Sequence, residues 1–258
     1  MVNFLPAFPV FLLILVRVTS FFLMMPLFSY RSIPTAAKIG LGFFMSFIMV
    51  FTLDAPVLEI DSHYFLLIIK EALVGLLIGF IAYLILSAIQ IAGGFIDFQM
   101  GFAIANVIDP QTGAQSPLMG QYLYTIGLFF LLTVNGHHLL LDGVFYSYQF
   151  IPLEQSWISF GNESMVEYVV KAFNSMFIIA FQMSIPVVGS LFLVDIALGI
   201  VARTVPQLNV FVVGLPLKIG VSFIVLIAVM SIMLLVVSQL FEMMLNTMRG
   251  LMEIIGGT

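Results

Sequence analysis

The chain has 258 residues, of which 62% are hydrophobic and only 8% are charged. Soluble domains are about 45–50% apolar and about 25% charged, so this chain has too little polar surface to cover a soluble globule. It is also far too hydrophobic to be intrinsically disordered. The net charge of −5, with no basic patch, argues against nucleic-acid binding, and the absence of cysteine excludes disulfides and thiolate metal sites. The composition predicts an all-α, polytopic membrane protein.

Long apolar runs alternate with short polar or Pro/Gly-rich stretches along the chain. A helix needs roughly 20 residues to cross the hydrocarbon core, and by this measure six runs are candidate spans. They cover residues 4–28, 36–53, 64–92, 118–151, 168–200 and 210–246. The fourth and sixth runs are long enough to be bent or split into hairpins.

The loops between these runs alternate in charge. Arg31 and Lys38 lie in one loop and Arg203 in another, whereas residues 54–62 and 152–168 carry acidic side chains. Under the positive-inside rule the basic loops face the cytoplasm. Six spans with both chain ends outside satisfy this pattern.

Residues 93–120 do not fit a simple span. This stretch contains five glycines and two prolines, and residues 109–113 (Asp-Pro-Gln-Thr-Gly) are typical of a turn. Irregular backbone at membrane depth is tolerated only where it is buried in protein or lines a water-filled cavity. The segment is therefore the main candidate for function, and an ordinary surface loop is the alternative.

Several ionisable residues interrupt the apolar runs, where exposure to lipid would be costly. Lys70 and Glu71 lie where a span begins and are interpreted as interfacial. Asp195, Arg203 and Lys218 suggest a structural ion pair that fixes a helical hairpin or a subunit contact, in preference to a transport relay. Gly75 and Gly79 have the spacing of a close helix-packing face.

Catalytic motifs are absent from the sequence. The adjacent His137 and His138 would point about 100° apart on a helix, which makes a poor metal pair. The sequence contains no phosphate-binding loop, no dinucleotide fingerprint and no nucleophile elbow. We therefore expect neither an enzyme nor a cofactor.

The run from Asp195 to Lys218 resembles the signature of the FliR/SctT family, the export-gate proteins of bacterial flagellar and virulence type III secretion systems. The matching positions are Asp195, Gly199, Arg203, Pro206, Gln207, Asn209, Phe211, Gly214, Pro216 and Lys218.

The resemblance extends over essentially the whole chain. Further family positions match in the opening and central regions: Arg17, Pro26, Tyr30-Arg31, Ile33-Pro34, Gly101-Phe102, Asp109-Pro110, Pro117 and Asn135-Gly136-His137.

The resemblance implies a single export-gate domain over residues 1–258, with a FliP-like part (1–200) followed by a FliQ-like helical hairpin (201–258). It implies a single-copy subunit that forms a gate with FliP-like and FliQ-like subunits, in the bacterial inner membrane at the flagellar basal body, projecting toward the periplasm. The other partners that it implies are FlhB-like and FlhA-like export proteins, flagellar rod proteins, unfolded export substrates and membrane lipid.

The resemblance also implies that a central loop, residues 106–121 here, plugs the export channel. The plug residues are Asn106, Val107, Ile108, Asp109, Pro110, Gln111, Thr112, Gly113, Ser116, Pro117 and Met119, and Met100 and Met119 are expected to help seal the pore. The residues expected to make structural or inter-subunit polar contacts are Arg17, Asp195, Arg203, Gln207, Asn209 and Lys218. A small secondary transporter is the alternative function, because broken helices and intramembrane charges are also transporter features.

Overall fold

The computed structural model describes residues 4–29, 33–53, 58, 60–102, 117–155, 163–207 and 209–257, with side chains from residue 8 onward. These residues form seven α-helices, and the described part contains no strand. The helices are α1 (Phe4–Met24), α2 (Thr35–Thr52), α3 (Ser62–Met100), α4 (Leu118–Thr133), α5 (Gly136–Phe150), α6 (Glu163–Thr204) and α7 (Val210–Gly256). The prediction of an all-α polytopic membrane protein is confirmed.

Proline and positive-φ residues define several of the helix ends. Pro34 and Pro117 directly precede α2 and α4, where a missing amide hydrogen is tolerated. Asn135 has a φ of 56° and separates α4 from α5, and Gly101 has a φ of 91° directly after α3. The fourth apolar run is thus two helices, α4 and α5, as its length had suggested.

Three helices are much longer than a single membrane crossing requires. Helices α3, α6 and α7 have 39, 42 and 47 residues, which at 1.5 Å per residue is about 58, 63 and 70 Å. The hydrocarbon core is only about 30 Å thick. In the described part of the chain, four helices have the length and apolarity of a span, and the bent α4–α5 pair would make a fifth. A total of six membrane spans would also require α1 to cross the membrane, and that total stays a prediction.

The first compact unit comprises residues 1–86, 135–173 and 242–258. Within it α1 packs on α2 and, along its other side, on α3. A Cβ atom at Gly75 would collide with the Arg17 carbonyl, and one at Gly79 would lie 2.8 Å from Met24 Cβ. The prediction that these two glycines form a close packing face is therefore confirmed, and α1 is the helix that they contact.

The second compact unit comprises residues 87–134 and 174–241. Its core includes Ile89, Ile96, Leu123, Leu131 and Leu191. Helix α3 does not end at residue 92, as the Gly-rich sequence suggested, but continues to Met100. The interpretation of residues 93–100 as irregular was wrong, because both glycines lie within the helix and Gly93 admits the backbone of α4 at Gly120.

Helices α6 and α7 form the last helical hairpin of the described part of the chain. The described residues after position 200 comprise the last turn of α6, part of the connection and the continuous helix α7. The hairpin is therefore formed by α6 and α7, and its first arm lies before residue 201. The assignment of FliP-like and FliQ-like parts stays a prediction.

Candidate functional site

The predicted plug lies only partly within the described residues. Asn106 to Gly113 and Ser116 are outside them, whereas Pro117 and Met119 lie at the start of α4 and Met100 lies at the end of α3. The side chain of Met100 is fully buried and that of Met119 is 8% exposed. We call the end of α3 and the start of α4 the two stems; residues 103–116 lie between them in the sequence.

A buried carboxylate on α3 caps the start of α4. The backbone amide of Met119 donates to both oxygens of Asp97, at 3.2 and 3.0 Å. Helix N-termini carry unsatisfied amides and a partial positive charge, so an acidic side chain is stabilising there. Pro117 has no side-chain acceptor and makes no cap of its own. Asp97 supplies the missing cap from another helix.

Two backbone hydrogen bonds close the end of α3, and one of them is accepted by the carbonyl of the same Asp97. The Phe102 amide donates to the Asp97 carbonyl at 3.0 Å, and the Gly101 amide donates to the Phe98 carbonyl at 3.2 Å. This pair of bonds, with Gly101 at positive φ, is a Schellman motif. Its geometry requires a residue that tolerates the left-handed region, which explains glycine at position 101.

A glycine crossing brings the two stems together. A Cβ atom at Gly93 would collide with the Gly120 backbone, and one at Gly120 would lie 2.9 Å from the Gln90 carbonyl. Helices can approach this closely only where side chains are absent, as at small-residue interfaces in membranes. The approach of α3 to α4 is what allows the Asp97 carboxylate to reach the Met119 amide.

A second polar cluster joins the end of α3 to the α6–α7 hairpin. Lys218 Nζ lies 2.5 Å from Asp195 Oδ1, and Gln99 Nε2 donates to Asp195 Oδ2 at 2.8 Å. The prediction of a structural ion pair at the hairpin is confirmed, with Lys218 as the partner of Asp195. This cluster borders an open cavity of about 380 Å³, which is also lined by Met100, Gly101 and Phe211.

The remaining signature residues lie at the tip of the hairpin and are exposed. Asn209 accepts the Val212 amide at 3.4 Å and so helps to begin α7. Arg203 and Gln207 project from the end of α6 and the following turn, and Arg203 has no ion-pair partner in the described part of the chain. Their position leaves both side chains free to contact a neighbouring subunit.

A third cluster surrounds Arg17, which is fully buried in the first unit. Its guanidinium donates to both carboxylate oxygens of Glu71, at 2.5 and 2.9 Å, to Ser147 Oγ at 2.9 Å and to the Ile151 carbonyl at 2.9 Å. The guanidinium carbon also lies 3.9 Å from the centre of the Tyr148 ring. Bidentate pairing and stacking of this kind favour arginine over lysine. Arg17 is therefore structural, and these partners all belong to its own chain.

Lys70 belongs to the same cluster, and its observed position differs from the predicted one. Its Nζ lies 2.6 Å from Glu71 Oε1 and donates to the Pro152 and Leu153 carbonyls at 2.9 and 3.2 Å. Lys70 is 3% exposed and Glu71 is fully buried, so the interpretation of this pair as interfacial was wrong. The carbonyls follow the end of α5, where cations are favourable because of the helix dipole. Two cations thus share one carboxylate.

Sequence reasoning missed the roles of Glu71 and Asp97. Glu71 is 54 residues from Arg17, so only the tertiary fold pairs them. Asp97 gave a weak local signal, because it lies four residues before a glycine that can end a helix. The described residues contain no group of three His, Asp or Glu side chains that could hold a metal ion.

Comparison with known proteins identifies the family. The profile described as "Bacterial export proteins, family 1" matches residues 8–244. The Flagellar biosynthetic protein FliR of Bacillus subtilis (strain 168) is 61% identical over 250 residues, which is 96% of each chain. The protein of the same name from Escherichia coli (strain K12) is 27% identical over 240 residues, covering 93% of this chain and 91% of the relative.

A virulence protein is also related. The Yop proteins translocation protein T of Yersinia pestis is 32% identical over 176 residues, which is 67% of each chain. The predicted resemblance to the FliR/SctT family is confirmed. The chain belongs to family 1 of the bacterial export proteins.

Proposed function

We propose that the chain is a structural subunit of a flagellar type III protein export gate in the bacterial inner membrane. With FliP-like and FliQ-like subunits it forms the channel through which unfolded flagellar proteins leave the cell. The observation that carries this proposal is the 61% identity to a Flagellar biosynthetic protein FliR, which extends over 96% of both chains. The virulence relative matches only two thirds of the chain at 32% identity, which favours a flagellar role.

The long helices support a role within a larger assembly. Only 11% of the most apolar window of α6 and 17% of that of α7 is buried within the chain. Phe177, Phe192, Phe211 and Ile227 are among the exposed residues. Because these helices are about 63 and 70 Å long and the hydrocarbon core is about 30 Å thick, lipid can cover only about half of each. Neighbouring subunits would cover the remainder.

The proposed plug is the segment 106–121. The described residues on either side of it, at the end of α3 and the start of α4, are held by Asp97 and by the Gln99–Asp195–Lys218 cluster. Met100 and Met119 lie at these stems, and their flexible side chains suit a seal around a channel of changing width. The subunit itself supplies no nucleotide-driven step in this proposal.

Assembly at the flagellar basal body, projecting toward the periplasm, is part of the same proposal. It also includes contacts with FlhB-like and FlhA-like export proteins, rod proteins and unfolded substrates. A strain lacking this chain should lose secretion of flagellar subunits and regain it when the chain is restored. Normal secretion without the chain, or uptake of a small solute by the purified chain alone, would refute the proposal.

Replacing Arg203 with alanine should prevent stable assembly with the FliP-like and FliQ-like subunits. Arg203 is exposed at the hairpin tip and has no ion-pair partner in the described part of its own chain, so its charge is available to a neighbour. We expect most of the complex to be lost when the chain is purified with its neighbouring operon products. Lys171→Ala, which removes an exposed helical ion pair, is the control and should assemble normally. A normal yield with lost secretion would instead assign Arg203 to transport.

A further inference from the structure

We propose that an open groove between α5 and α7 binds the headgroup of a phospholipid that carries both a phosphate and a primary ammonium, as phosphatidylethanolamine does. The groove has a volume of about 440 Å³, and all the residues that line it belong to the first compact unit. This inference goes beyond the proposed function and does not depend on it, because it concerns only lipid bound to this chain.

The groove carries one charge of each sign on its two walls. Asp142 of α5 and Arg249 of α7 both line it, and both are exposed. They form no ion pair with each other, and neither has another ion-pair partner in the described part of the chain. A ligand with a separated anion and cation satisfies both, because a phosphate matches the guanidinium fork and an ammonium matches the carboxylate.

The rest of the lining suits a lipid better than a water-soluble zwitterion. Phe150, Met248 and Met252 give the groove an apolar surface beside the two charges, against which the first part of an acyl chain can pack. Tyr146 also lines the groove and is 48% exposed. Tyrosine is typical of the headgroup level of a membrane, where its ring is in an apolar environment and its hydroxyl is hydrated.

The sequence of α7 also places its groove residues at the level of lipid headgroups. Residues 219–241 contain no charged side chain, and a helix of this length measures about 35 Å, slightly more than the hydrocarbon core of about 30 Å. Glu242 is the first charge after this stretch, and Asn246 and Arg249 follow it by about one and two helical turns. A crossing by this stretch therefore brings Asn246 and Arg249 to the polar layer that borders the core.

The local charge favours a headgroup with an ammonium over a purely anionic one. Besides Asp142 in the groove, Glu242 and Glu253 are exposed on the same part of α7, so carboxylates outnumber the single cation, Arg249. A phosphatidylglycerol headgroup would leave the Asp142 carboxylate without a partner. A phosphatidylcholine headgroup has no hydrogen on its nitrogen and donates no hydrogen bond to Asp142. We therefore expect phosphatidylethanolamine to bind more tightly than either.

The test is native mass spectrometry of the purified, delipidated full-length chain with whatever subunits copurify with it. The preparation is titrated separately with phosphatidylethanolamine, phosphatidylglycerol and phosphatidylcholine that have identical acyl chains. Arg249→Ala should weaken binding of phosphatidylethanolamine about tenfold, and Arg249→Lys should weaken it less because the charge is kept. Asp142→Asn should still bind lipid but lose the preference for phosphatidylethanolamine over phosphatidylglycerol.

Two exposed residues of α6 in the same unit provide matched controls. Lys171→Ala removes a cation and Glu163→Gln removes a carboxylate, and neither residue lines the groove. Both variants should bind the three lipids as the parent does. Because the variants change only this chain, a difference between parent and variant reports on this groove even when other subunits also bind lipid.

Three outcomes would overturn the proposal. The first is equal binding of the three lipids by the parent, or unchanged binding of phosphatidylethanolamine in Arg249→Ala. The second is a parental preference for phosphatidylglycerol that Arg249→Ala abolishes, which would make the groove a purely anionic site. The third is loss of copurifying subunits from Arg249→Ala with unchanged lipid binding, which would make the groove a protein contact. Lipid binding as expected without any restored secretion would refute the proposed function and leave the lipid site intact.

Discussion

Replacing Glu71 with glutamine is expected to deplete the folded chain from the membrane. In the described part of the chain, Glu71 is the one carboxylate bonded to both Arg17 and Lys70, and all three side chains are buried. Its loss leaves two cations without an anion, and removing one partner of a buried ion pair costs about 3–5 kcal/mol. That is a large fraction of the stability of a typical domain. Folded chain is measured by fluorescence-detected size exclusion of detergent-extracted membranes.

We also expect variants of this cluster to differ in how much folded chain they leave in the membrane. Arg17→Met should be less damaging than Glu71→Gln, because Lys70 and Glu71 still form a pair when Arg17 is absent. The double variant Arg17→Met/Glu71→Gln should recover part of the folded yield, since it leaves only one unpaired cation. Lys171→Ala, an exposed pair on α6, should change little, as surface ion pairs contribute about 0–1 kcal/mol. Equal loss in both single variants would show that the cluster is not organised around Glu71.

Deleting residues 111–116 is expected to raise ion leakage severalfold in cells that overexpress the gate. The deletion removes the centre of the proposed plug but leaves Asp97, Met100 and Met119, so both stems and their hydrogen bonds are retained. Leakage is measured as collapse of the membrane potential or entry of a normally excluded ion. The variant must assemble, which is checked by recovery of the complex at the parental level.

A matched control distinguishes leakage caused by loss of the plug from leakage caused by a damaged channel. Replacing residues 111–116 with a Gly/Ser stretch of equal length keeps the length of the connection between α3 and α4. Of the turn residues Asp109-Pro110-Gln111, this replacement removes only Gln111. Its leakage should lie between that of the parent and the deletion. Parental leakage in the deletion, at normal complex yield, would contradict the assignment of 106–121 as the plug.

The helices were largely predictable from the sequence because membrane-scale apolar runs leave few alternatives. Each of the six predicted runs is helical in the structure, and the long fourth run is split as its length suggested. The positions at which the helices end were less predictable. Gly93 and Gly94 resemble helix breakers, yet α3 continues through them because a neighbouring helix packs at Gly93. The sequence does not distinguish a glycine that makes a turn from a glycine that lets the backbone of another helix approach closely.

The sequence indicated which polar residues are unusual, but not which residues they bond to. Arg17, Asp195 and Lys218 were recognised as unusual in apolar runs, but the sequence did not decide whether Arg203 or Lys218 pairs with Asp195; the structure shows Lys218. Glu71 was not assigned to Arg17, because adjacent Lys70 and Glu71 resemble an ordinary helix end at the membrane surface. Only the packing of α1 on α3 through Gly75 brings the three charges together.

The most direct test of the central claim is mass spectrometry of the intact complex, extracted after expressing this chain with its neighbouring operon genes. The account predicts one copy of this chain together with several FliP-like and FliQ-like copies. That composition would also explain the exposed apolar faces of α6 and α7. A stable monomer or homodimer without those subunits would contradict the account and favour a small transporter.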